Sequence, residues 1–179
     1  MSWNDFYRRR DILDAVLDAA REDPTAPLPF AAVPGAQETF GTEQALLLAL
    51  HYRWSLFLGG YLRAEIGGTG EIDDEDTGTA VDHVDEVTRA WQAAVRDQET
   101  LRAVLDAGAV RHPQALRAVQ EAEYRMLALT AGLAEPHEPT AEITQVGATF
   151  EALLRNGPTL ANRRRSPVGQ LLRLLSPSA

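Results

Sequence analysis

Cysteine is absent from the 179 residues. That excludes disulfides, thiolate catalysis and cysteine-ligated metals. Lysine is absent as well, and all 17 basic residues are arginine. A phosphate loop of the Gly-Lys-Ser type is therefore ruled out. The arginine-only usage and the abundant alanine fit codon bias better than a role for the arginines as a class. No run of about 18 uncharged apolar residues occurs, so no membrane span is expected. The opening "MSWNDFYRRRDIL" places aromatics and acids where a signal peptide needs an apolar run, so the cytoplasm is the expected compartment. A basic balance is missing too: the formal net charge is −9. A nucleic-acid binder built on such a chain would need a local basic patch on an acidic body. No strand pattern and no internal repeat are found.

What is present is helical periodicity almost throughout. Hydrophobic residues make up 45% of the chain, enough to bury a core. Ser2 with Asp5 resembles a capping box, opening a helix to about Arg21. Its apolar face is read as Phe6, Leu13, Val16, Leu17 and Ala20. "DPTAPLP", 23–29, stops it with three prolines in seven residues. Residues 30–41 hold one or two short turns, broken at Pro34 and Gly35. Thr42 is the N-cap of a long helix over about 43–66, apolar on nearly every face. Such a helix needs neighbours on most sides, or a partner chain.

"GGTGEIDDEDTGT", 67–79, reads as a solvated acidic linker, because the ligand pattern of a calcium loop is missing. A helix over 79–96 carries Val81, Val84, Val87, Trp91 and Val95 on one stripe. A shorter helix ends near Gly108. Pro113 opens another to about Gly132, with Leu116, Val119, Met126 and Leu133 on its apolar side. "AEPHEPT" breaks the chain again. The last long helix spans 140–156, with Ile143, Val146, Phe150, Leu153 and Leu154. The tail is basic at Arg163 to Arg165 and then briefly amphipathic, "VGQLLRLL". That stretch is too short to be stable alone and must dock on something. The fold class is thus all-α, divided as a shortened head at 1–41, a ligand-binding and dimerisation body at 42–160 and a tail at 161–179.

Chemistry is sparse. His83 and Glu86 lie three apart on a helix, the spacing for a shared metal. The second Glu-x-x-His that a helical metal site needs does not exist, and both residues read as part of a solvated acidic face. No Gly-x-Ser-x-Gly elbow occurs. The paired acids at Asp73 to Asp76 lie in a solvated run where burial cannot tune them. No motif calls for a cofactor or a metal, and no enzyme is expected. A metal-assisted helical enzyme through His83 and Glu86 is the weakest alternative. His51 differs, because it interrupts an apolar helix with Leu47 and Leu58 on its side and Ser55 one turn on. A polar notch on an apolar wall can orient a small ligand, and a core histidine satisfied by Ser55 or a carbonyl is the competing explanation. The ligand-site candidates are His51, Trp54, Ser55, Leu58, Trp91 and Tyr124.

Taken together, "RRRDILDAVLDAA" (8–20), "GAQETFGTEQALLLAL" (35–50), the helix-break-helix rhythm of 95–133 and "EPTAEITQVGATFEALLRNG" (138–157) resemble the tetracycline-repressor (TetR) family. The resemblance implies a TetR-like helical bundle, a body that binds a small apolar ligand, and a homodimer paired through the late helix. It also implies a transcriptional regulator. One departure stands out. In that family roughly 37 residues, filled by a helix-turn-helix, separate the first-helix Ile from the Phe before the fourth helix. Here Ile12 and Phe40 are 28 apart. From Glu22 to Tyr52 there is no arginine or lysine, and there are four acids: Glu22, Asp23, Glu38 and Glu43. A segment of that charge is repelled by phosphates. The expectation is a degenerate head, with DNA binding doubtful and work done by the body on a small ligand or on a protein partner, the latter through the tail. The alternative is a true repressor in which Arg8, Arg9 and Arg10 contact phosphates.

Overall fold

The computed structural model describes residues 3–67 and 80–157. The Ser2 cap, most of the acidic loop and the 158–179 tail lie outside them. Seven helices are found among the described residues, and no strand. They are α1 (Trp3–Ala19), α2 (Ala36–Phe40), α3 (Glu43–Gly67), α4 (Ala80–Asp97), α5 (Glu99–Arg111), α6 (Pro113–Thr130) and α7 (Thr140–Asn156). The chain is all-α.

The helix ends follow local chemistry. Beyond α1, the Asp23 carboxylate accepts hydrogen bonds from the Thr25 amide at 3.1 Å, the Thr25 hydroxyl at 2.7 Å and the Ala26 amide at 3.2 Å. This turn gives the backbone an alternative to another helical turn, and Pro24 forbids one. The Thr25 hydroxyl, foremost among these donors, holds the Asp23 carboxyl below its ordinary range. Thr42 caps α3 as expected, its hydroxyl accepting from the Ala45 amide at 3.2 Å. Pro113 occupies the first position of α6. α6 closes in a Schellman turn. The Leu133 amide donates to Ala128 and the Gly132 amide to Leu129, and Gly132 takes φ +65°, which a side chain would oppose.

One expected stop is not a stop. α5 runs past Gly108 to Arg111. Gly108 is a contact glycine: a Cβ there would meet Leu47 Cδ2 at 2.7 Å. The glycine leaves room for the end of the Leu47 side chain and does not terminate the helix.

The chain divides into two compact units, Met1–Phe57 with Val95–Gln120, and Leu58–Ala94 with Glu121–Ala179. These boundaries are drawn along other lines than a head at 1–41 and a body at 42–160. In the first unit, Ile12, Leu13, Val16, Leu46, Leu47, Leu50, Trp54, Leu101, Val104 and Leu105 are buried. α1 packs on α5. Arg102 is buried against the Trp54 ring at 5.2 Å and pairs with Asp106 at 2.9 Å. In the second unit, Ala128, Ala134 and Ile143 form a cluster with Val146 against it. Gly147 brings α7 onto α6 so closely that a Cβ would overlap the Tyr124 carbonyl.

Three side chains sit elsewhere than their periodicity suggests. Phe6 is 57% exposed, and Leu153 is also exposed. Glu86, read as part of a solvated face, is 7% exposed. It lies between Val84 and Val87 on the buried side of α4, within 3.3 Å of His83 Nδ1.

Candidate functional site

The arginine triplet on α1 is engaged within the fold. Arg8 pairs with Glu38 on α2 at 2.8 Å. Arg9 lies over the Phe40 ring at 4.6 Å. Arg10 pairs with Asp11 at 3.2 Å and lies over the Tyr7 ring. Between α1 and α3 stands the five-residue α2. Its first turn carries Glu38 and no basic residue.

Of the six ligand-site candidates, His51 and Ser55 are brought together. Ser55 Oγ lies 3.4 Å from His51 Nδ1 and donates to the His51 carbonyl at 3.0 Å. His51 is buried and Trp54 fully so, its ring covered by Arg102. Leu58, Trp91 and Tyr124 fall in the other compact unit. Trp91 is buried on α4, and its indole N–H meets no acceptor among the described residues. The cavities described next are lined by other residues than these six.

His83 and Glu86 do approach one another. Among the described residues, no group of three or more His, Cys, Asp or Glu side chains converges as metal ligands would. No helix among them is long and apolar enough to cross a membrane.

One concavity was not singled out in the sequence. It is a groove of about 850 Å³ between α1 and the first half of α3. Leu13 on α1 and Ala45 and Ala49 on α3 are part of its floor. Phe6, Leu48, Tyr52 and Leu56 stand along it, with Phe57 at one end. The cause is visible in α3, which has two apolar stripes. Leu46, Leu47, Leu50, Trp54 and Leu58 face inward and are fully buried. Residues 45, 48, 49, 52 and 56 recur at the same helical interval on the opposite side. Tyr52 and Leu56 remain 67% and 57% exposed. Exposed apolar patches rimmed by polar groups mark interaction sites.

The rim is basic. Arg9, Arg10 and Arg53 line the groove, and among the described residues no carboxylate does. Arg53 pairs with Asp14 and lies over Phe57 at 5.7 Å. Behind it a second cavity of about 570 Å³ mixes both signs, with Asp14, Asp18 and Asp97 beside Arg21, Arg53 and Arg96. The sequence signal for the groove was the outer stripe of α3 beside Phe6 and Leu13, seven residues apart on α1.

Compared with family models, curated proteins and solved structures, the chain matches none of them.

Proposed function

We propose that this protein is a non-catalytic, TetR-like helical regulator of the cytoplasm that acts by binding a small ligand or a protein partner, and not by reading DNA. The observation that carries the reading is the exposed apolar groove of α1 and α3. A face of that kind is costly to leave in water unless something covers it in use. The short α2 supports the second half of the reading, because five residues cannot lay a recognition helix in a major groove. Phosphate contact by Arg8, Arg9 and Arg10 would require them to leave Glu38, Phe40 and Asp11. The Arg8 and Arg10 ion pairs are exposed and individually weak, so the repressor alternative keeps a physical route. A homodimer belongs to the reading, with α7 as the pairing helix and its exposed Leu153 supporting it.

The test is retention of the organism's own genomic fragments by the purified protein at low and at physiological salt. Retention of none, or retention only at low salt, is the expected result. A few fragments held at physiological salt would overturn the reading in favour of a repressor with a short head. A monomer by light scattering would remove the dimer from it.

A further inference from the structure

We propose that the α1–α3 groove is the docking site for an acidic amphipathic helix of another protein. The inference rests on the binding-module reading above and names its partner class.

Shape selects a helix over a small molecule. A small-ligand site encloses about 70–90% of its occupant. Here Phe6, Tyr52 and Leu56 are each more than half exposed, so a small apolar molecule would stay half in water. The outer stripe of α3 runs from Ala45 to Leu56, eleven steps along the helix, or about 17 Å at 1.5 Å per residue. That is three turns of a helix lying alongside. Ala45 and Ala49, one turn apart at the floor, let a third helix approach closely, as helix pairs do at about 8–10 Å. Phe6, Leu48, Tyr52 and Leu56 then meet apolar anchors at i, i+3, i+4 and i+7 of the incoming helix.

Charge selects the sign of that helix. Among the described residues the groove is lined by three guanidiniums and no carboxylate, on a chain whose net charge is −9. Arg10 and Arg53 have Asp11 and Asp14 beside them. Arg9, among the described residues, meets the face of Phe40 and no carboxylate. An incoming Glu or Asp beside Arg9 gains a charge-assisted bond without breaking an existing pair. The same charges disfavour two other occupants. A second copy docked face to face would set this rim against itself. The chain's own tail, "NRRRSPVGQLLRLL", carries four arginines and no acid.

The experiment uses the full chain and two synthetic helical peptides of about 18 residues. Both carry leucines at i, i+3, i+4 and i+7; one is flanked by glutamates, the other by lysines. Binding is read by fluorescence anisotropy. The glutamate peptide is expected to bind at least about tenfold tighter, and to weaken with salt. Tyr52→Ser with Leu56→Ser should abolish its binding while the far-ultraviolet circular dichroism and the urea midpoint stay unchanged. Arg9→Glu with Arg10→Glu should reverse the preference toward the lysine peptide. Equal affinity for the two peptides, no binding of either, or glutamate-peptide binding that survives the Tyr52 and Leu56 changes would each overturn the proposal. Loss of self-association on changing Tyr52 and Leu56 would assign the groove to a second copy. Saturable binding of dodecanoate monomers that displaces the peptide would assign it to a lipid-like ligand. None of these outcomes touches DNA retention, so the binding-module reading stands or falls separately.

Discussion

Where α7 crosses α6, Gly147 lets two backbones touch; where α1 and α3 line their groove, large side chains stand open to water. Both places bring two helices with apolar residues together. At Gly147 the small residue removes the space that a third element would need. At the groove, the alanines of α3 make a floor while Phe6, Leu48, Tyr52 and Leu56 stay upright around it. The lesson is that apolar content does not say whether a face is finished. The size of the residue at the crossing, and the charge around it, say more.

The comparison can be broken most sharply at Gly147. Gly147→Ala should destabilise by about 3 kcal/mol or more, because backbone must move to admit the Cβ. The roughly 1 kcal/mol that alanine gains in a helix offsets only part of that. Urea unfolding measures it, and a midpoint equal to the parent protein's would mean the crossing is looser than described. Gly108→Ala sharpens the point within the other unit. There the obstacle is the end of the Leu47 side chain at 2.7 Å, which can rotate. The net change should be within about 1 kcal/mol of zero. A loss as large as that of Gly147→Ala would show that Leu47 has no second rotamer.

The groove should be the tolerant end of the scale. Tyr52→Ser and Leu56→Ser each remove a side chain that is mostly in water, so each should shift stability by about 0.5 kcal/mol or less. A loss above about 2 kcal/mol would mean that the face is core and is covered within the chain. The smallest effect is expected at the turn after α1. Hydrogen bonds from Thr25 and Ala26 hold the Asp23 carboxyl below its unfolded value of about 3.9. Their stabilisation is therefore complete above that value and is lost as pH falls through the lowered folded one. Asp23→Ala should lower the urea midpoint at pH 7, and the gap to the parent protein should narrow as acid is added. A gap that widens in acid would contradict the turn.

Much of the fold was legible because its signals are local. Thr42 as a cap, Pro113 as a first helical residue and the break after 132 depend on backbone chemistry within a few positions. The two faces of α3 were legible as composition, since it is apolar nearly all round. What covers each face was not, because that depends on elements distant in sequence. Phe6 illustrates this: the helical period assigns it to an apolar face and cannot say that the described residues leave it more than half exposed. Glu86 fails for the opposite reason. A carboxylate reads as solvent-facing, yet Glu86 lies one helical turn before the fully buried Ala90, which puts it at the edge of the buried face, where His83 offers a partner. His51 and Ser55, one turn apart, were found together as their spacing implies. Leu58, Trp91 and Tyr124 belong to the other compact unit, a division that periodicity does not carry.

The groove's rim has a consequence for control. Its cations are all guanidiniums, which keep their charge at every physiological pH and are not substrates for lysine acetylation. The charge of this rim is therefore set by neither pH nor acetylation. For an acidic helix docked there, a phosphate added or removed beside the partner's apolar anchors would change the attraction directly.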